Sequence, residues 1–186
     1  MFVIMDQPWY RKLFRHPGKL QLEDPQSEAE HGDAEAQFSL GFRFANGAGR
    51  APDYAQAAQW YLRAASQNHS LAQFNLAIML AGGQGVPQDD ASALMWMQKA
   101  ARQGDAGAQH NLGLRHRRAS FAGLPQDALE SNLEAYKWFR LAAAQGYRDS
   151  DTEFAGVAIG MTRDQVIEGD QRAAAFTALC ANPTPA

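Results

Sequence analysis

The stretch Asp89-Asp90-Ala91-Ser92-Ala93-Leu94-Met95-Trp96-Met97-Gln98-Lys99-Ala100-Ala101 decides the fold, because its second half occurs three times in the chain. Trp96-Met97-Gln98-Lys99-Ala100-Ala101 follows Trp60-Tyr61-Leu62-Arg63-Ala64-Ala65 by 36 residues and precedes Trp138-Phe139-Arg140-Leu141-Ala142-Ala143 by 42. Self-similarity at a fixed interval of this length is the mark of a stacked-repeat architecture. Ala57, Trp60, Tyr61, Ala64 and Ala65 fall at i, i+3, i+4, i+7 and i+8, which gathers them on one face of a helix. Ala93, Trp96, Met97, Ala100 and Ala101 repeat that face, as do Ala135, Trp138, Phe139, Ala142 and Ala143. Alanines a turn or two beyond a large aromatic let a neighbouring helix come close there, while the aromatic fills the wider gap.

Outward from this seam, a second motif keeps the same interval. Ala36-Gln37-Phe38 returns as Ala72-Gln73-Phe74 and as Ala108-Gln109-His110, with Leu40, Leu76 and Leu112 in step. Ala36, Leu40 and Phe44, four residues apart, predict a helix preceding each Trp helix. Gly32-Asp33 and Gly104-Asp105 mark its start, the glycine ending one helix and the aspartate capping the next. Between the two helices lie Gly47-Ala48-Gly49 or Gly83-Gln84-Gly85, then Pro52, Pro87 or Pro125 with Asp close behind, which stop one helix and start the other. The unit is therefore helix, turn, helix, and the third unit carries six extra residues.

Taken together, Gly83 to Pro87 with Asp89 to Ala101 resemble the Sel1-like repeat, a branch of the tetratricopeptide superfamily. So do Gly123-Leu124-Pro125-Gln126-Asp127, Glu134-Ala135-Tyr136-Lys137-Trp138-Phe139 and Ala142-Ala143-Ala144-Gln145-Gly146. The resemblance spans roughly Gly32 to Gly146. It implies an all-α, right-handed α-solenoid of about three helix-turn-helix repeats, at 32–67, 68–103 and 104–146. Asn68-His69 departs from the glycine expected at the end of the first unit, and His116 stands where a bulky apolar residue is usual.

An open stack leaves apolar end faces, so caps are expected on both sides. Residues 1–31 are read as a partly helical cap, with Ser27 to His31 as the last turn of an incomplete leading helix. Trp9-Tyr10-Arg11-Lys12-Leu13-Phe14-Arg15 reads either as part of that cap or as a membrane-surface or partner-docking helix. Residues 147–181 are read as capping helices. Ser150, Phe154 and Ala155 echo Ala108, Leu112 and Gly113, and Thr162 with Gln165 forms a capping box for a final helix. Residues 182–186 are read as a disordered tail.

The composition fits one folded domain: 46% hydrophobic, 20% charged, net charge -3 over 186 residues. The slight acidity, with a pI near 5.9, disfavours nucleic acid as the partner. Cys180 is the lone cysteine, so no internal disulfide forms, which suits a reducing compartment. Met1 to Tyr10 reaches Asp6 and Pro8 too soon for a signal peptide, and no apolar run spans a bilayer, so the expected location is cytoplasmic.

No catalytic constellation, metal-ligand spacing or cofactor motif stands out. His16, His31 and His69 sit at element boundaries, and His110 and His116 point to different sides of one helix. Gly82-Gly83-Gln84-Gly85 lacks the strand and the Lys-Ser or Lys-Thr of a phosphate loop. The expected activity is therefore binding of a protein or peptide. The candidates are Phe38 and Phe42, Phe74 and Ile78, then His110 and Leu114, paired four apart on the side of each first helix opposite the Ala-Leu face, with Asn75 and Asn111 beside them. In tetratricopeptide arrays the first helices line the concave surface, so the resemblance implies a groove there, rimmed by Arg117 and Arg118. Two readings stand: an exposed groove, or a stripe buried between successive first helices by superhelical curvature. The run Arg115-His116-Arg117-Arg118 likewise reads as a grip for an acidic segment or as the solvated end of a helix. Phe38 and Phe42 stand where the tetratricopeptide carboxylate clamp requires Lys and Asn, which disfavours chaperone-tail binding. Alternatives are a hydrolase-type enzyme, for which some Sel1-like proteins offer precedent, and a structural or oligomerising module.

Overall fold

A computed structural model describes residues 25–47, 51–122 and 125–181. Among these the chain forms nine α-helices and no strand. They are α1 (Pro25–Glu30), α2 (Ala34–Asn46), α3 (Tyr54–Ser66), α4 (Ser70–Gly82), α5 (Asp90–Arg102), α6 (Ala106–Ala122), α7 (Pro125–Ala144), α8 (Ser150–Ala158) and α9 (Arg163–Ala181). The stretch Trp9 to Arg15 and residues 48–50, 123–124 and 182–186 lie outside the described residues.

The helices begin where the sequence places caps. Asp33, Asp53 and Asp105 each accept from the backbone N–H three residues on, at 2.7, 2.9 and 2.7 Å, and Asp89 accepts from both Ala91 and Ser92. At α4 the aspartate is replaced, and His69 Nδ1 accepts from Ala72 N–H at 3.2 Å instead. The preceding Asn68 takes φ 68°, the left-handed conformation that Asn tolerates better than other side-chain-bearing residues. Asn68-His69 therefore does the work of Gly-Asp with different atoms. Thr162 and Gln165 form the expected reciprocal cap of α9, each backbone N–H bonded to the other's side chain.

Successive pairs α2–α3, α4–α5 and α6–α7 pack as hairpins, and each hairpin packs on the next through α3–α4, α5–α6 and α7–α8. Ala57, Ala64, Ala65, Ala100, Ala101, Ala135 and Ala142 lie buried in these seams. Within each hairpin a small residue faces a large one: Gly41 faces Tyr61, and Gly113 faces the Phe139 ring, where an added Cβ would sit 2.7 Å from ring carbons. In the middle hairpin Ala77 and the more adaptable Met97 share one core cluster. The tryptophans occupy related settings. Trp60 joins Ala29, Ala36 and Leu40, and Trp138 joins Ala108, Leu112 and Phe74. Half-buried Trp96 bridges the two central clusters.

Between hairpins runs a buried glutamine relay. Gln37, Gln73 and Gln109 donate to the carbonyls of Ala29, Ala65 and Ala101, at 3.0, 3.1 and 3.2 Å, at the C-terminal end of the preceding helix. They accept in turn from Gln67, Gln103 and Gln145 at 2.8, 2.7 and 2.9 Å. Each of these carbonyls also accepts from the backbone N–H three residues on, of Gly32, Asn68 and Gly104, so the glutamine adds a second donor and gives its own buried amide a partner. At Gly85 the inter-helix turn lies against the start of α3. Its φ is 69°, and an added Cβ would fall 2.3 Å from the Tyr54 carbonyl carbon.

At the ends, α1 packs on α2 and α9 on α7, where Phe176 meets the Trp138 ring edge-on at 5.0 Å. The six extra residues of the third hairpin lengthen its helices. The helices of the first two hairpins have 13 residues each, α6 has 17 and α7 has 20.

Because Gly113 abuts Phe139, Gly113→Ala forces overpacking that costs about 1–3 kcal/mol, against a gain in helix propensity of about 1 kcal/mol. The expected outcome is a lowered thermal midpoint. Gly156→Ala in α8 meets only Arg117 at 3.6 Å, an ordinary contact, and is expected to raise the midpoint. Thermal unfolding of both variants followed by circular dichroism checks the pair.

Candidate functional site

The structure divides the apolar stripe of the first helices into two rows. The row at positions 38, 74 and 110 turns between successive first helices. Phe38 is 3% exposed, packs with Ala72 and Leu76, and stacks on the His69 ring at 4.7 Å. Phe74 is 7% exposed, and its ring lies against Gly107 at the start of α6. His110 is half-buried, with Nδ1 2.8 Å from the Ser150 hydroxyl and its ring edge-on to Phe139. For Phe38 and Phe74, therefore, burial by the next hairpin applies and exposure does not.

The row at positions 42, 78 and 114 is only half-buried. Phe42 packs on the first core cluster. Ile78 and Leu114 line an open cleft of about 450 Å³ between α4, α5 and α6. Asn111 and Arg118, expected from the sequence, line the same cleft, joined by Leu94 and Asp90 of α5 and Arg115 of α6. Asn75 and Asn111 each donate Nδ2 to the carbonyl four residues back, of Leu71 and Gly107, at 2.8 Å. Arg117 does not join this group, since it pairs with Glu153 of α8. Helical geometry accounts for the difference. Asn111, Leu114, Arg115 and Arg118 fall at i, i+3, i+4 and i+7, whereas Arg117 lies about 120° round the helix from Asn111. That spacing is the signal in the sequence that points to Arg115 rather than Arg117.

The basic run is also not at the end of its helix. Helix α6 continues to Ala122, and its last turn holds no basic residue, so the C-terminal dipole does not account for the arginines. Arg115 and Arg118 are exposed, and neither forms an ion pair among the described residues. Asp90, which accepts from Gln88 Nε2, stands on the cleft at the start of α5.

The His110–Ser150 pair has the atoms of a nucleophile and a base, with Glu153 close enough to act on the imidazole. Ser150 is 0% exposed, however, so its hydroxyl is closed to any substrate and the pair interlocks α6 with α8. Burial lowers the pKa of His110 more than Glu153 raises it, and burial likewise outweighs Glu134 at His116. Among the described residues no three or more His, Cys, Asp or Glu side chains gather as metal ligands. No described helix is long and apolar enough to cross a membrane.

The family model described as the Sel1 repeat matches residues 34–69, 70–105 and 106–147. Among solved structures the chain is similar to c5321, a protective antigen present in uropathogenic Escherichia coli strains that displays an SLR fold. The two are 37% identical with a TM-score of 0.61, over 84% of this chain and 33% of that one, so this chain spans about a third of its length. A Sel1 repeat protein from Oxalobacter formigenes is 30% identical with a TM-score of 0.57, over 72% of this chain and 96% of that one. No curated protein matches.

Asp105 is the one buried carboxylate among the described residues. Desolvation raises its pKa from 3.8 to about 6, against the pull of the Ala108 and Gly107 N–H groups that its capping role brings. A carboxyl with a raised folded-state pKa adds stability that is fully present below about pH 3.8 and is lost as pH rises through about 6. Asparagine caps without that dependence. Relative to the natural chain, Asp105→Asn is therefore expected to become more stable by about 2–3 kcal/mol between pH 4 and pH 7.5. Urea unfolding of both proteins across that range checks it, and a constant difference contradicts the assignment.

Proposed function

This chain belongs to the Sel1 repeat family, and we propose that it is a non-catalytic scaffold that takes a segment of a partner protein into the cleft between α4, α5 and α6. Sel1 repeats generally serve as protein-interaction modules, which supports the class. The observation that carries the choice of surface is the cleft itself. Half-buried Ile78, Leu94 and Leu114 form an apolar floor beside Asn111 and two exposed arginines without ion-pair partners among the described residues. Apolar lining with a few polar groups is the usual make-up of a recognition site, and about 450 Å³ accommodates one or two large side chains. Asn75, Phe42, His110 and Arg117 then belong to the frame of that surface, and Phe38 and Phe74 to the core beneath it.

The non-catalytic reading draws on the same geometry. The buried carboxylate is engaged in capping, and the His–Ser pair is closed off.

Ala81 and Ala119 are exposed and line the cleft, so Ala81→Trp with Ala119→Trp fills it without disturbing a core position. A partner retained from native lysate by the natural chain is expected to be lost at least tenfold with the filled cleft, while the thermal midpoint moves little. Quantitative mass spectrometry of the captured material reads the result. Equal retention by both proteins would place recognition elsewhere.

A further inference from the structure

The third hairpin differs from the other two in a way that bears on the cleft. Its six extra residues carry α6 to 17 residues, while the parallel first helices α2 and α4 stop at 13. In α6 the added residues are Ala119 to Ala122, the first of which lines the cleft. Leu114, Arg118 and Phe121 fall at i, i+4 and i+7 along one face of α6, with Arg115 adjacent to Leu114 and Phe121 on the added length. From Asn111 to Phe121 the face runs about 15 Å along the axis.

Three observations make this face selective. Arg115 and Arg118 are exposed and form no ion pair among the described residues, although Arg117 between them is held by Glu153. Phe121 is 82% exposed, a large ring at the outer end of the same row. Asp90 marks the α5 side with a negative charge, so the cleft is electrically lopsided, with two positive charges on α6 against one negative charge at the start of α5. Guanidinium groups set beside an apolar floor favour carboxylates, which they bind through charge-assisted and often bidentate hydrogen bonds.

We propose that the occupant of the cleft is an acidic, apolar segment of a partner protein, whose bulky side chains lie on Ile78, Leu94 and Leu114 and whose carboxylates are read by Arg115 and Arg118. This rests on the cleft being the binding surface and adds the chemistry of what it takes. Asp90 sets the polarity of the segment, because a carboxylate is repelled at the α5 side and attracted along α6. Phe121 extends the apolar contact beyond the arginines. The segment spans about four residues if extended or about ten if helical.

The probe is a phage-displayed library of random twelve-residue peptides, panned on the full chain. Three variants are panned in parallel: Arg115→Glu/Arg118→Glu, the filled cleft Ala81→Trp/Ala119→Trp, and Arg43→Glu, an exposed arginine on α2, as control. Circular dichroism verifies that each is folded. Peptides enriched on the natural chain are expected to pair Asp or Glu with bulky apolar residues and to be lost on the filled cleft. They are expected to survive Arg43→Glu. On Arg115→Glu/Arg118→Glu they should give way to peptides bearing Lys or Arg. One enriched peptide, made synthetically, should bind at least tenfold more weakly in 500 mM than in 50 mM NaCl. Enrichment that the filled cleft abolishes but that shows no acidic bias, or that ignores the arginine reversal, overturns the chemistry while leaving the cleft as a site. Enrichment indifferent to the filled cleft, or none at all, overturns both. Phosphatidylserine vesicles test the competing anionic surface. Cosedimentation lost on Arg115→Glu/Arg118→Glu would assign the arginines to a lipid surface and overturn the proposal.

Discussion

The structure depends on how closely one helix can approach the next, and that distance is set by side-chain size at a few facing positions. Gly41 and Gly113 have no room for a Cβ because Tyr61 and Phe139 lie against them. The alanines at 57, 64, 65, 100, 101, 135 and 142 keep the second helices of the hairpins equally close to their neighbours. Close approach brings backbone groups together in a dry interior, and these must be hydrogen-bonded. Backbone N–H groups and the relay of Gln37, Gln73 and Gln109 with Gln67, Gln103 and Gln145 share that task at the same place in every hairpin, the buried amides of the first three finding partners on both sides. Small residues and buried amides are thus two parts of one solution, with the amides stitching each hairpin to the preceding helix.

That stacking determines what is left for recognition. A residue on a first helix that faces the next hairpin is consumed by it, as happens to Phe38 and Phe74 and, through α8, to His110 and Arg117. A residue one turn further along is only half-buried, and there Ile78 and Leu114 border a space shared with Leu94 and Asn111. Arg115 and Arg118 stand on that space, and the lengthening of α6 adds Phe121 beyond them. The core of the repeat and the cleft beside it thus belong to the same helix, separated by one turn.

The repeat, its helices, its caps and its seam are legible in the sequence because they follow from local rules: periodicity, capping residues and breakers. Even the departure at Asn68-His69 is a local substitution of equivalent atoms. The division of the apolar stripe is not local. Whether Phe38 faces solvent depends on where α4 lies, which no spacing within α2 encodes. The same holds for Asp105, whose capping role is plain from Gly104-Asp105 but whose burial follows from its place in the stack. Arg117 and Arg115 present the opposite case. Their assignment follows from helical angle alone, and the face shared by Asn111, Leu114, Arg115 and Arg118 is there to be read in the spacing. The role of the glutamines is hidden for another reason, since a polar residue repeated on a helix reads as surface until its partners are seen.

The claim that the first row of the stripe is core and the second row is surface is tested most directly by urea unfolding of Phe74→Ala. Truncating a buried phenylalanine costs about 3–5 kcal/mol, and nearest-neighbour coupling between hairpins carries that loss through the array. A loss of this size is expected, with the unfolding transition still single. A loss below about 1 kcal/mol, the range of exposed substitutions, would mean that the Phe74 ring faces solvent, and would contradict the stacking on which the cleft depends.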